Sequence, residues 1–370
     1  MAVVMVMQRC IAPAKYVREE NGLELIDQLL PRPVCRVALA GGETALQVAG
    51  GRLRNALEKS GREVAGVFWY GGECCPANIE KLAAAVRQSG AQMLIGVGGG
   101  RALDTAKAAA FLAGVPVVTV PTIAATCAAF TGISIVYNEQ GVFQEISRRA
   151  RVPELVLVDL ATIARAPVAF LLAGIGDTLA KWYELEAASR KKPGAAATRS
   201  ALQLAGVVRE ILMQHGEAAL AAVGRQEINQ SLAEVVDAVI MISGLVSGLG
   251  GDECRSAGAH AVYSGLTGLP ATHGRYHGEI VAFGILVQLM LDNRVEEAGR
   301  LIGYYRRIGL PVTLADLGLV SLEPHEMDTV ITGTLATEDI RNMPFTVSAE
   351  MLREALLAAD VLGRGGGSGM

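Results

Sequence analysis

The stretch Met93-Leu94-Ile95-Gly96-Val97-Gly98-Gly99-Gly100-Arg101-Ala102-Leu103-Asp104-Thr105-Ala106-Lys107 decides the fold. An apolar run enters four glycines within five positions and leaves as a helical pattern. Backbone without side chains, set at a helix start whose N–H groups lack partners, suits a phosphate. The common dinucleotide fingerprint G-x-G-x-x-G fails here, because it needs glycine where Arg101 stands, and the P-loop pattern fails at the same position. Taken alone, the turn fits a phosphate cradle, and it also fits an ordinary tight turn whose Asp104 favours the helix dipole.

Outward from that turn, short apolar runs alternate with amphipathic stretches. Val37–Ala40, Val67–Tyr70, Met93–Val97, Val115–Val120, Ile133–Tyr137 and Leu155–Val158 read as strands. Between them, the stretch after Gly41-Gly42 to about Lys59, Asn78–Ser89 and Arg101–Leu112 read as helices. Alternation of this kind predicts an α/β domain with a mainly parallel sheet covered on both faces. After Pro167 the spacing turns helical, as in Ala195–Ala222 and Ile228–Ser247, so an all-helical C-terminal domain is expected. The expected division is an α/β domain over 1–165, a helical domain over 166–362 and a flexible glycine-rich tail over 363–370. Two such domains would leave between them a cleft of the kind that small-molecule sites favour.

Composition narrows the class. The 370 residues suffice for two cores, and with 51% hydrophobic and 19% charged residues long disordered segments are not expected. A net charge of −4 gives no general attraction to nucleic acid or anionic membranes, so neither is an expected partner. The six cysteines include one adjacent pair, Cys74-Cys75, and no C-x-x-C spacing, which favours the reduced cytoplasm. The N-terminal MAVVMVMQRC has no basic stretch before its apolar residues and is too short to span a membrane. It is expected to form the first strand.

A second constellation bears on chemistry. Three of the five histidines fall between positions 260 and 277, and Asp177 follows Gly174-Ile175-Gly176 near a helix start. Two imidazoles and a carboxylate, here His260, His277 and Asp177, are good ligands for Zn²⁺ or Fe²⁺ and leave coordination positions open. Without further information, a capping aspartate and two ordinary histidines explain them as well.

Four motifs in order change that balance. Gly98-Gly99-Gly100-Arg101-Ala102-Leu103-Asp104-Thr105-Ala106-Lys107 resembles the G-G-G-x-x-L-D-x-A-K signature of the glycerol dehydrogenase branch of the iron-containing alcohol dehydrogenases. Pro121-Thr122-Ile123-Ala124, then Gly174-Ile175-Gly176-Asp177-Thr178-Leu179-Ala180-Lys181-Trp182, then His277-Gly278-Glu279 resemble the same branch. The resemblance begins near Ala12-Pro13-Ala14-Lys15-Tyr16 and covers most of the chain. It implies a dehydroquinate-synthase-like fold, a nicotinamide cofactor (NAD or NADP) on the first domain and a divalent metal, zinc or iron. It implies Asp177, His260 and His277 as metal ligands and as the catalytic centre. Gly99, Gly100 and Asp104 would hold the pyrophosphate and nearby cofactor groups, while Thr122, Thr131, Ile133 and Tyr137 would line the nicotinamide and ribose. A homo-oligomer acting on a small molecule in the cytoplasm is expected.

Departures from the pattern bear on substrate and metal. Glycerol dehydrogenases carry an aspartate in the segment that here reads Ala125-Thr126-Cys127-Ala128-Ala129-Phe130, so Cys127 removes an acidic acceptor. That segment instead resembles the hydroxycarboxylate dehydrogenase A type, and an anionic substrate gains where a like charge is missing. Lys181 stands where iron-type members carry a fourth-ligand histidine, which makes zinc at least as apt as iron. His273 is as much a candidate substrate contact as a surface residue. In the first βα turn an acid at the strand end would bind the ribose and exclude NADP, but the strand here ends in Ala40-Gly41-Gly42 with Glu43 slightly later. If Glu43 does not reach the ribose NADP is admitted, so the turn leans towards NADP. The reading that follows is a metal-dependent oxidoreductase moving a hydride between NAD(P) and a small hydroxycarboxylate or 2-oxo acid. A polyol such as glycerol is the alternative substrate, and a dehydroquinate-synthase-like lyase is the alternative from another class.

Overall fold

Strand β2 (Arg36–Gly41) alternates its side chains between two cores, and the first layer of the fold follows from that alternation. Val37 and Leu39 join Leu53, Leu57, Met93 and Ile95 on one face, while Ala38 and Ala40 join Leu82, Val86, Leu94 and Ala106 on the other. A computed structural model describes residues 12–191, 195–251, 256–320 and 322–365 of the chain. Around β2 run β1 (Lys15–Glu19), β3 (Glu63–Trp69), β4 (Met93–Gly98), β5 (Val117–Pro121) and β8 (Leu155–Asp159). All their pairings are parallel, in the order β1-β8-β5-β4-β2-β3, and a separate antiparallel hairpin joins β6 (Ser134–Tyr137) to β7 (Phe143–Ser147).

Helix α1 (Gly51–Lys59) contributes Leu53 and Leu57 to one face of the sheet, whereas α2 (Pro76–Ser89) and α3 (Gly100–Ala113) cover the other. The expected α/β layer with a parallel sheet is therefore present. Strand β1 lies at 15–19, and the strand expected for MAVVMVMQRC falls outside the described residues.

Beyond Ala166 the described residues form helices and no strand, as the spacing predicts. They are α4 (Val168–Lys191), α5 (Ala196–Gly224), α6 (Gln230–Asp237), α7 (Ser243–Gly250), α8 (Gly258–Leu266), α9 (His277–Leu291), α10 (Val295–Ile308), α11 (Pro324–Ala336) and α12 (Ala349–Gly365), with short 3-10 and π-helical turns. By contacts the chain divides into two units, Met1–Ala166 with Ala222–Gly248 and Pro167–Ala221 with Leu249–Met370. The first boundary falls beside the expected 165/166, but the segment 222–248 groups with the sheet rather than with the helical unit. Asp237 explains the grouping, since it accepts hydrogen bonds from the Tyr16 hydroxyl at 2.7 Å and the Arg18 guanidinium at 2.8 Å, both on β1. The stretch Gln230–Gly250 is long and apolar enough to cross a membrane by length and composition, and 61% of its apolar window is buried, as in a core helix.

One expectation is corrected at the C-terminus. Residues 363–365 are not a flexible tail but the last turn of α12, and residues 366–370 lie outside the described set. The glycine at 363 serves close packing, because a Cβ there would lie 1.9 Å from the Val312 carbonyl oxygen.

Lys107 pins the loop that leads from β5 to β6. Its ammonium group is fully buried and donates to the carbonyls of Ala128, Thr131 and Ile133, and it lies 2.8 Å from Asp104 Oδ1. A buried charge is tolerated only when paired and hydrogen-bonded in this way. Lys107→Met leaves Asp104 and three carbonyls without their partner, and the expected loss of unfolding free energy is about 3–5 kcal/mol. Denaturant unfolding measures it, and a loss under about 1 kcal/mol, the scale of an exposed ion pair, would deny Lys107 this role.

Candidate active site

The glycine turn at 96–100 lies where parallel α/β sheets bind ligands. The chain passes from β2 outward to β3 and then returns to β4 on the other side of β2, so the strand order reverses between β2 and β4. Ligands sit beyond the carboxyl ends of strands at such a reversal. Those ends are Gly41 and Gly98, and both positions require glycine. A Cβ on Gly41 would lie 2.2 Å from the Val97 carbonyl oxygen, and Gly98 has φ +144°. Gly99 is the N-cap of α3, no side chain caps the helix, and a recess beside it is lined by Gly99, Gly100, Pro121, Ile123 and Thr126.

Other expected cofactor residues divide into two groups. The buried Thr122 donates its N–H to the Gly98 carbonyl at 3.2 Å, which places it beside the turn. Tyr137 is half-buried, with the Arg101 guanidinium 5.4 Å from its ring centroid. Thr131 and Ile133 are half-buried and give their carbonyls to Lys107. Asp104 is turned inward, where its Oδ2 accepts the Ile135 N–H at 3.0 Å and Oδ1 faces Lys107. Burial pushes the Asp104 carboxyl above its usual range even with Lys107 beside it. The signature aspartate and lysine thus engage each other and the loop. Cys127 begins a short 3-10 turn, half-buried, with its Sγ 3.9 Å from the Ser247 hydroxyl.

In the helical unit, Asp177 comes from α4, His260 from α8 and His277 from the first position of α9. Glycines set how closely α4 and α9 approach. A Cβ on Gly176 would lie 2.3 Å from the Gly278 carbonyl oxygen, and one on Gly278 would lie 1.7 Å from that of Ala173. Each of these glycines is the immediate neighbour of a cluster residue. The three side chains offer ligand atoms all within 4.8 Å of one another. Asp177 Oδ1 lies 3.3 Å from Nε2 of both His260 and His277. It is buried, and it makes a properly directed hydrogen bond to neither ring. An orphaned buried carboxylate oxygen facing two imidazole nitrogens is the donor set that a divalent cation satisfies.

Without an ion, the carboxylates are balanced by a proton on the imidazole, which a bound cation would displace. Burial would push the Asp177 carboxyl up, but Lys181 and the two imidazoles hold it well below the usual carboxylate range. Burial opposes charge on His260, yet Glu184 and Asp177 lift its pKa to about 10. His273 stands exposed in a loop, its Nε2 3.1 Å from the Thr267 carbonyl oxygen.

Two neighbours of the cluster lie outside the sequence reading. Glu184 is fully buried with Oε2 2.7 Å from His260 Nδ1, and Tyr263 packs edge-on to the His277 ring at 4.3 Å. A sequence signal for Glu184 does exist, because Asp177, Lys181 and Glu184 fall at i, i+4 and i+7 on one face of α4.

An all-parallel sheet with a glycine turn at its strand-order reversal, joined in one chain to a helical unit bearing a carboxylate–imidazole cluster, defines a class of two-unit α/β plus helical enzymes. Comparison with known proteins gives the family within it. Residues 13–160 match the family described as iron-containing alcohol dehydrogenase. The chain is 39% identical to a glycerol dehydrogenase of Pseudomonas putida over 97% of its own length and 99% of the relative's. It is 40% identical to hydroxycarboxylate dehydrogenase A of Escherichia coli strain K12, over 93% and 95% of the two lengths. The crystal structure of a probable glycerol dehydrogenase from Sinorhizobium meliloti 1021 matches with a TM-score of 0.85 at 33% identity, covering 97% of this chain and 99% of that one. The chain belongs to the iron-containing alcohol dehydrogenase family. It is an oxidoreductase of that family, whose enzymes use NAD(H) and a divalent metal.

The glycine contact between α4 and α9 yields a prediction. Gly278→Ala forces the helices apart, and the expected cost is about 1–3 kcal/mol of unfolding free energy. Gly274→Ala, where a Cβ meets nothing within 4 Å, is the control. Equal denaturation midpoints for the two variants would show that the helices do not depend on this contact.

Proposed function

We propose that the protein is a metal-dependent NAD(P)(H) oxidoreductase that interconverts a small polyol and the corresponding hydroxyketone, glycerol being the first candidate. The carrying observation is the cluster of the buried Asp177 with the half-buried His260 and His277, and its orphaned Asp177 oxygen. The glycerol dehydrogenases among the relatives and structural matches support a polyol over the hydroxycarboxylate reading. The lyase reading does not fit an alcohol dehydrogenase family.

Each residue then has a task. Asp177 supplies the anionic ligand and His260 and His277 the neutral ones. The glycine turn at Gly99 and Gly100 presents bare backbone and an uncapped helix start to the pyrophosphate of the cofactor. Thr122, Thr131, Ile133 and Tyr137 shape the walls for the nicotinamide and ribose, and Lys107 with Asp104 holds that loop in place. When bound, the metal supplies Lewis acidity towards the substrate oxygen, and the nicotinamide supplies or accepts the hydride. Free thiols at Cys35, Cys74, Cys75 and Cys127 support work in the reduced cytoplasm.

A second substrate reading rests on Cys127. Its neighbour is the Ser247 hydroxyl, and no carboxylate stands at position 127 to repel a 2-oxo acid.

Turnover of NADH or NADPH with metal-loaded protein, followed by absorbance, tests both. Dihydroxyacetone is expected to be reduced faster than 2-oxo acids. The opposite preference would move the assignment to hydroxycarboxylates, and no turnover with either class would end the oxidoreductase reading of this site. His260→Ala is expected to lose turnover and to keep only weak metal binding through Asp177 and His277, and full activity in that variant would remove His260 from the centre.

A further inference from the structure

Glu184 lies on α4 two turns beyond Asp177 and is fully buried. Its two oxygens do different work. Oε1 accepts the backbone N–H of Ala257 at 2.7 Å and of His260 at 2.9 Å, at the start of α8. Oε2 lies 2.7 Å from His260 Nδ1, while Nε2 of the same ring points at Asp177 Oδ1. A carboxylate is an acceptor only, so the nitrogen facing it must carry the proton. In the neutral ring the lone pair is then left on Nε2, on the cluster side.

We propose that Glu184 is the positioning residue of the cluster, fixing His260 in the tautomer and orientation that make Nε2 a ligand. The inference rests on the metal reading above. It assigns to a side chain outside the ligand set the control of one ligand's donor atom, as outer carboxylates do at other histidine metal sites.

Glu184→Gln separates this role from simple capping of α8. The glutamine Oε1 must stay on the two backbone N–H groups, because its amide NH₂ would face two donors if turned. The NH₂ then points at His260 Nδ1 and donates to it, the ring proton moves to Nε2, and the lone pair no longer faces Asp177. The cap survives and the ligand is lost. Zn²⁺ titration of chelator-stripped full-length protein against a competing dye is expected to show binding about 10–100-fold weaker in the variant. The visible spectrum of the Co²⁺-loaded variant is expected to change with it.

In a His260→Ala background the same substitution is expected to cause no further loss, since Glu184 acts through His260. Wild-type affinity in Glu184→Gln, or an equal loss in both backgrounds, overturns the proposal and leaves the metal site standing. Failure of the wild type to take up Zn²⁺ overturns the metal reading and this inference with it. Should Glu184→Gln fail to fold, ¹⁵N spectra of histidine-labelled, Zn²⁺-loaded wild type decide. A proton on His260 Nδ1 with metal at Nε2 supports the assignment, and metal at Nδ1 overturns it.

Discussion

Helices α4 and α9 meet backbone to backbone where Gly176 faces the Gly278 carbonyl and Gly278 faces that of Ala173. No side chain separates the two helices there, so their axes are held at a distance that any Cβ would increase. Asp177 and His277 are the next residues along each helix and inherit that distance. The cluster geometry is therefore a consequence of helix packing and not of side-chain flexibility. Close-packed interiors transmit such constraints because they cannot yield by a fraction of an ångström without loss of contacts. Glu184 adds the third side, since it joins α4 to the first turn of α8 and carries His260 with it.

The α/β unit solves a similar problem with charge. Its loop from β5 to β6 presents three carbonyls to the interior, and one ammonium group satisfies all of them. Asp104 neutralises that ammonium and also fixes Ile135 at the start of the hairpin strand. A lysine three residues after an aspartate on a helix is an ordinary pairing. Buried here, it ties the glycine turn and the loop after β5 into one rigid piece. The signature L-D-x-A-K thus reads as a positioning device for residues around the recess.

Much of this was legible in the sequence, and the exceptions share a cause. Strands β2, β4, β5 and β8 show as apolar runs because both of their faces are buried. Strand β1 reads Lys-Tyr-Val-Arg-Glu and β7 lies mostly exposed, so neither carries the hydrophobic signal. The allegiance of 222–248 to the sheet depends on Asp237 bonding to Tyr16 and Arg18, more than two hundred residues away, and helical spacing says nothing about which core a helix joins. Asp177, His260 and His277 were found by motif and residue chemistry, and the structure brings them together. The inward turn of Asp104 onto Lys107 and Ile135 depends on a rotamer that sequence does not record. Glu184 escaped because its partner lies seventy-six residues ahead.

The carboxylate–imidazole cluster and the turn at Cys127 lie in different parts of the chain. The first depends on helix contacts that leave no room for a Cβ, the second on a short 3-10 segment. A polyol and a hydroxy acid differ by one negative charge. A carboxylate at that turn would accept from two hydroxyls and repel a carboxylate substrate, whereas the Cys127 thiol is only a weak donor and acceptor and does neither. Thr126 caps the turn through the Ala128 N–H, and Lys107 holds the Ala128 carbonyl, so position 127 is fixed from both sides by bonds that do not involve its own side chain. A residue whose backbone is secured by its neighbours is free to change its chemistry without disturbing the fold.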